Sequence, residues 1–60
     1  MDTDVIKAKL VSLQRCMERI RQKTPANAQQ LAEDFDLQDI LILNLQRAVQ
    51  ISIDIATSIL

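Results

Sequence analysis

Few side chains in this sequence of 60 residues are suited to acid–base or covalent chemistry. The chain has no His and no Tyr, and Cys16 is its single cysteine. An internal disulfide needs two cysteines and a tetrahedral zinc site needs several His or Cys ligands, so neither fits. We expect Cys16 to be a small, partly buried apolar residue rather than a reactive thiol. The sequence indicates no catalytic residue, no metal ligand and no cofactor site.

Charge divides the chain into two halves of opposite sign. Residues 1–23 carry six Lys or Arg against three Asp or Glu, a balance of +3, whereas residues 24–60 carry one Arg against five acids, a balance of −4. Arg47 and Asp54 are the two charged residues between 40 and 60. Their separation of seven residues places both on one face of a helix. The simplest interpretation is that these charges are solvated or bridge to neighbouring helices.

The first segment has the periodicity of an amphipathic helix over about residues 3–23. Asp2 or Asp4 can cap its start, and Pro25 restricts the residue before it and ends the helix. Apolar residues recur in steps of four and three, which predicts one buried stripe. This stripe consists of Ile6, Leu10, Leu13, Met17 and Ile20.

A short link follows, and its residues 27–35 are consistent with a short helix that Asn27 caps. Asp36, three residues before Asp39, resembles a capping box with Asp in place of Glu and predicts the start of a third segment. This long helix is expected over about residues 37–60. The stretch "ISIDI" alternates like a strand, but a strand of about 24 residues would far exceed the usual 3 to 10. Length therefore favours helix.

The long helix has an unusually wide apolar arc. At about 100° per residue, its polar side chains fall in a narrow stripe that contains Arg47 and Asp54, and apolar residues cover roughly half the circumference. A surface helix needs an arc of about 100° or somewhat more, so this helix is expected to be buried on two sides. Its predicted contribution to the core consists of Leu41, Leu45, Ala48, Val49, Ile55 and Ile59.

Chain length limits what one copy can bury. A domain of about 60 residues buries only about 60% of its unfolded surface, and without disulfides or metals the usual supplement is a partner chain. The fold class predicted is all-α, with two main antiparallel helices joined by a short helical link and a four-helix bundle completed by dimerisation. The apolar stripe of the first helix and the apolar arc of the long helix would form the core of this bundle or dimer.

The expected location of the protein depends on whether its sequence contains a secretory signal or a transmembrane segment. The N-terminus "MDTDVIKAKL" does not have the pattern of a secretory signal. Residues 40–60 are largely apolar, but an ionised group costs about 2.5 to 3.5 kcal/mol at a bilayer centre, and Arg47 and Asp54 interrupt the segment. We expect a cytoplasmic protein that does not cross a membrane.

Three stretches, "LQRCMERIR", "LAEDFDLQD" and "ILILNLQRAVQISIDIA", resemble the N-terminal half of the HepT-like toxins, which are ribonucleases of the HEPN superfamily. The resemblance is strongest over "DLQDILILNLQRAVQISIDIA" and extends weakly over nearly the whole chain. It implies an all-α fold, a homodimer, and a MntA-like nucleotidyltransferase antitoxin as partner. It also suggests that the face bearing Arg47 and Asp54 borders a cleft.

The resemblance places the catalytic motif of these ribonucleases, Arg, a short spacer and His-x-Tyr, in the second half of the domain. Such a motif uses a His near neutral pKa to exchange the proton of a ribose 2′-hydroxyl while a cation stabilises the phosphate. Since this chain has no His, it cannot carry the motif, and RNA is expected as a substrate only of a longer form. The chain itself is predicted to be a helical association module without enzymatic activity.

A helix-turn-helix protein that binds nucleic acid is the alternative, because "NAQQLAEDFDLQDILILNLQRA" contains a small-residue helix, a turn and a second helix. The second helix opens with Asp39 and a run of aliphatic residues, whereas phosphate contacts need Lys or Arg and base readout needs exposed polar groups. The basic end of the first helix could contact RNA phosphates, but no aromatic residue stands near it to stack on a base.

Overall fold

The chain folds as a helical hairpin with a short helix at its corner. The computed structural model describes residues 2–60 and contains α1 (Thr3–Lys23), α2 (Ala28–Glu33) and α3 (Phe35–Ile59). No strand occurs in this range, so the all-α fold class is confirmed. The hairpin is elongated, with extents of 44 × 15 × 14 Å. α1 and α3 run antiparallel, since Lys9 in the first half of α1 contacts Asp54 near the end of α3, while Ile20 near the end of α1 lines the same groove as Leu45 in the first half of α3.

Side-chain and backbone caps fix both ends of α1. One carboxylate oxygen of Asp2 accepts hydrogen bonds from the backbone N–H groups of Asp4 and Val5, at 3.0 and 3.3 Å. These bonds satisfy donors that the first turn of a helix leaves free. At the other end, the backbone N–H and the hydroxyl of Thr24 both donate to the carbonyl of Ile20. Pro25 follows and cannot continue the helix.

The corner between α1 and α3 is an ordered structure. Asn27 caps α2 by accepting a hydrogen bond from the N–H of Gln30 at 2.8 Å. The side-chain amide of Gln38, on α3, donates to the carbonyls of Leu31 at 3.0 Å and Ala32 at 3.2 Å. These carbonyls belong to the last turn of α2, where a helix leaves acceptors without regular partners, and that of Leu31 also accepts from the N–H of Asp34 at 3.4 Å. Gln38 therefore binds the short helix to the long one.

α3 begins at Phe35, two residues before the expected start, and its cap is Asp34 rather than Asp36. Asp34 has extended backbone angles, and its carboxylate accepts a hydrogen bond from the N–H of Leu37 at 2.9 Å. Asp36 already lies in the first helical turn, where its side chain cannot act as the cap, although its charge is favourable beside the positive end of the helix dipole. The capping box predicted at Asp36 was therefore wrong.

The row of α1 that faces α3 is displaced from the apolar stripe. The residues that α3 covers fully or in part are Ile6, Lys9, Leu13, Cys16 and Ile20. Lys9 and Cys16 thus occupy the places that the periodicity gave to Leu10 and Met17. Cys16 is only 8% exposed, whereas Met17 is 59% exposed, so the expectation that Met17 is buried fails within one chain. The contact with α3 therefore covers one margin of the apolar stripe of α1 and leaves the other margin exposed.

α3 is likewise covered on one margin of its apolar arc. Its buried residues are Leu41, at 9% exposure, and Asn44, at 5%, and Ala48 continues the same row half-buried. The amide of Asn44 donates to the carbonyl of Ile40, one turn earlier, at 2.9 Å. Leu45 and Val49, on the adjacent margin, remain more than half exposed. One copy of the chain therefore covers about one side of a helix that has two apolar sides.

Candidate functional site

Asp54 is the centre of a polar edge along the hairpin. The ammonium of Lys9 lies 3.7 Å from one carboxylate oxygen of Asp54, and the side-chain amide of Gln50 donates to the other oxygen at 3.0 Å. Lys9 and Asp54 are on different helices, so this contact joins α1 to α3. Both side chains are about a third or more exposed, and an ion pair of this kind contributes less than about 1 kcal/mol.

Arg47 lies on the same polar edge but does not share the ion pair. Seven residues along a helix correspond to about 10 Å, and no ion pair between Arg47 and Asp54 occurs in the described part of the chain. Arg47 is exposed, and the ion pairs found within residues 2–60 join Lys9 to Asp54 and Arg21 to Glu18. The structure thus places Arg47 and Asp54 on one face and shows a partner for Asp54 on α1.

The polar edge contains no His, the side chain most often used for proton transfer near neutral pH. Its side chains are a guanidinium, an ammonium, a carboxylate and an amide, and the whole sequence lacks His. Within residues 2–60, no group of three or more His, Cys, Asp or Glu side chains converges as a metal site would require. The arrangement holds α1 against α3 through the contact between Lys9 and Asp54.

The opposite side of the hairpin is an open apolar groove between α1 and α3. We define the open apolar face as the lining of this groove, which consists of Leu13, Met17, Ile20, Leu45, Ala48, Val49, Ser52 and Ile53. The groove has a volume of about 580 Å³. Asp54 follows Val49 by five residues, so it lies about 140° away around α3. The apolar face and the polar edge therefore occupy different sides of the molecule.

The surface area of the chain is large for its mass. Folded monomers of 6.8 kDa expose about 4000 Å² by the usual scaling with mass, whereas this chain exposes 4737 Å². The excess is about 700 Å², and a partner in a standard protein interface buries about 800 Å². The hairpin thus exposes roughly one interface more than a closed domain of its size.

The predicted core residues divide between covered and open positions. Leu41 is buried, and the half-buried group consists of Ile6, Leu13, Ile20, Ala48 and Ile55. The exposed group consists of Leu10, Met17, Leu45, Val49 and Ile59. Several of the exposed residues line the groove, which matches the expectation that α1 covers only one side of α3.

Sequence periodicity missed Lys9 and Asn44, two residues of the contact between α1 and α3. Both are polar, and the predicted apolar stripe and arc contain only apolar residues. The step of seven from Lys9 to Cys16, in register with Leu13 and Ile20, is the signal that could have shown Lys9 on the inward row. Asn44 had a comparable signal, since it follows Leu41 by three residues and precedes Ala48 by four.

The hydroxyl groups of α3 form hydrogen bonds within the helix itself. Ser52 donates to the carbonyl of Ala48 at 2.7 Å, and Ser58 donates to the carbonyl of Asp54 at 2.8 Å. Thr57 also donates to the carbonyl of Asp54, at 3.0 Å. Such bonds to the preceding turn are a common way for Ser and Thr to sit inside a helix. Ser52 therefore lines the apolar groove with its hydroxyl already bonded.

α3 also passes a simple test for a membrane span. It has 25 residues and a mean hydropathy of 1.2 over its best window, of which 11% is buried. By length and composition it could cross a membrane, but core helices of soluble proteins pass the same test. A single helix of this kind is weak support for a membrane span.

Comparison with known proteins finds a relative that matches most of this chain. The chain is 45% identical over 56 residues, 93% of its length, to "mRNA nuclease HepT" of Shewanella oneidensis. The matched region is 41% of the length of that relative. No family model matches the chain, and no solved structure matches it significantly. The resemblance inferred from the sequence is thereby confirmed: this chain matches part of a HepT-like protein.

Proposed function

We propose that this chain is a helical association module of the HepT-like kind that forms a symmetric homodimer and completes a four-helix bundle. The open apolar face carries the proposal, because it is the apolar side of a hairpin that as a whole exposes about one interface more surface than a closed monomer of this mass. A contiguous apolar patch bordered by polar residues is typical of an association surface. The similarity to part of a HepT-like protein supports the same assignment.

Association would place the exposed margins of both helices in a common core. Leu45 and Val49 of each copy would meet the partner across the groove, and Met17 would flank them from α1. The partner would then cover the side of α3 that α1 leaves open, as the wide apolar arc of this helix requires. The two hairpins together then have the helix number of a four-helix bundle.

The association surface is tested by sedimentation of the 60-residue chain and two variants. We expect the parent to sediment at twice its mass of 6.8 kDa. Leu45→Glu places a charge in the interface of both copies and should raise the dissociation constant at least about 100-fold, or about 2.8 kcal/mol. Ser12→Glu introduces the same charge at an exposed position of α1 outside the groove lining and should leave the dimer intact. A well-folded parent monomer would overturn the proposal.

We further propose that the isolated chain is not an enzyme. Its relative is named an mRNA nuclease, but the chain spans 41% of that relative and contains no His. Without a His, in-line attack by a ribose 2′-hydroxyl lacks its usual base. An assay with unstructured RNA should therefore detect no cleavage by the purified chain, and cleavage that co-purifies with the helical dimer would contradict this.

The remaining assignments follow from the same resemblance. A longer form of the protein would act on RNA, with the Arg47 and Asp54 edge bordering its cleft, and a MntA-like nucleotidyltransferase antitoxin would be its partner. We propose a cytoplasmic location without a membrane span, in which the apolar side of α3 is covered by protein. The comparison with HepT does not favour the helix-turn-helix alternative. The first turn of α3, which would enter a DNA groove, carries Asp36.

A further inference from the structure

The exposed apolar residues of α3 have a spacing that is symmetric about Val49. Ile42 and Ala56 lie seven residues before and after Val49, and Leu45 and Ile53 lie four residues before and after it. All five are exposed in the single chain. Steps of four and seven keep side chains on one face of a helix, so these residues form one continuous row.

We infer that α3 packs against α3 of a second copy in antiparallel orientation, with the twofold axis passing beside Val49. This inference rests on the proposed function and specifies the geometry of its interface. In an isologous contact, if one residue touches a second in the partner, the second touches the first. A row that reads the same in both directions satisfies this condition: Val49 meets Val49, Leu45 meets Ile53, and Ile42 meets Ala56.

The side chains that line the groove permit this contact. Ala48 and Ser52 are small and lie next to Val49 on the groove surface, so a second helix can approach closely there. The hydroxyl of Ser52 is bonded to the carbonyl of Ala48, so covering it leaves no free donor. Met17, from α1, borders the same groove and would contact the partner's helix beside the axis.

Charge selects the antiparallel orientation over the parallel one. Exposed acids crowd the start of α3, at Asp34, Asp36 and Asp39, and none of them forms an ion pair within residues 2–60. A parallel pair would bring the two acidic ends within about 10 Å, the usual separation of packed helices. Antiparallel packing about Val49 separates Asp36 from its counterpart by 26 residues of helix, about 39 Å, well beyond a screening length of about 8 Å. Helix dipoles favour the same orientation.

Disulfide trapping tests the position of the axis. All variants carry Cys16→Ala, which removes the native buried thiol, and each is checked for helical content and sedimentation before oxidation. A disulfide requires Cβ atoms about 3.5 to 4.5 Å apart, which antiparallel packing provides between two copies of Val49→Cys. Gln50→Cys is the matched control, since it is the next residue and lies on the polar edge. We expect Val49→Cys to cross-link at least about tenfold faster than this control.

A second pair of positions distinguishes antiparallel from parallel packing. With the axis at Val49, two copies of residue 42 lie about 21 Å apart along the helix, so Ile42→Cys alone should not cross-link. Ala56→Cys alone should not do so either, whereas the double variant Ile42→Cys with Ala56→Cys should form covalent dimers. Cross-linking of Ile42→Cys alone as fast as Val49→Cys would establish a parallel pair and overturn the inference.

The inference and the proposed function fail in different ways. If the Cys16→Ala parent is a dimer and Val49→Cys cross-links no faster than Gln50→Cys, the axis is elsewhere and only the inference is wrong. If the helical parent is a monomer at all concentrations tested, the association module itself is wrong. Fast trapping at Val49 together with the double variant supports both.

Discussion

Asn44 is the most buried polar side chain within residues 2–60, and its hydrogen bond lies within its own helix. Its amide donates to the carbonyl of Ile40, which in an α-helix also accepts a bond from the backbone N–H of residue 44. Removing the amide therefore leaves Ile40 with its backbone partner. The amide of Asn44 is thus hydrogen-bonded, but its hydrogen bond does not join α1 to α3.

Replacing Asn44 by Leu should stabilise the hairpin. The substitution strands no partner and adds apolar surface at a buried position, since Asn44 is 5% exposed. We expect the free energy of unfolding to rise by about 1 kcal/mol, as measured by urea denaturation at one fixed protein concentration. Gln46→Leu, at an exposed position of the same helix, is the control and should change stability by less than about 0.5 kcal/mol. A loss of stability in Asn44→Leu would mean that the amide has a partner elsewhere.

The start of α3 shows how a capping residue fixes the position where a helix begins. Two aspartates, Asp34 and Asp36, are close enough in sequence for either to serve as the cap. The structure selects Asp34, because the extended backbone at this residue follows directly from the end of α2. The same residue ends one helix and caps the next, which leaves no room for a flexible link.

Separate alanine substitutions at the two aspartates should distinguish these roles. Asp34→Ala removes the acceptor for the N–H of Leu37 and should lower the free energy of unfolding by about 1 kcal/mol. Asp36→Ala removes only a favourable charge near the helix dipole and should cost about 0.3 to 0.5 kcal/mol. Urea denaturation followed by circular dichroism measures both. A larger effect at Asp36 would return the cap to the position that the sequence pattern suggested.

Periodicity could predict that α1 and α3 are helices, but not which margins they would use to pack. The strand-like "ISIDI" lies inside α3, because a long uninterrupted segment outweighs the preference of Ile for strands. The apolar arc of α3, by contrast, is wide enough to accept α1 on either margin. The choice that buries Asn44 and exposes Val49 depends on the geometry of the hairpin, and so does the exchange of Met17 for Cys16 on the inward row.

At the scale of the molecule, the apolar margins of α1 and α3 that remain uncovered lie on the same side of the hairpin. Each helix uses one margin of its apolar arc for the other helix, and the unused margins together form the groove. The sequence could predict that α3 needed covering on two sides, since the width of its arc exceeds what one neighbour covers. It could not predict the depth of the groove, which depends on where the two helices cross.

Coupling of folding to association should make thermal stability depend on concentration. A partner that binds only the folded state stabilises it by mass action, so a tenfold increase in protein concentration should raise Tm by about 5 °C. Leu45→Glu should show a Tm that is lower and independent of concentration. Circular dichroism at 222 nm across a dilution series measures both. A parent Tm that does not move with dilution would show that one hairpin is stable alone.

The hydroxyls of α3 that bond to the preceding turn have a consequence for how its surroundings can change. Ser52, Thr57 and Ser58 have their donors occupied before any neighbour arrives. Of these three, Ser52 lines the groove, so a neighbour that covers the groove need not supply an acceptor for it, and dehydrating that side of the helix strands no hydroxyl proton. The groove side of α3 therefore needs no hydrogen-bond acceptor from its neighbour, whether that neighbour is a second hairpin or further helices of a longer chain. Shape and the distribution of charge, rather than polar matching, decide which of them fits.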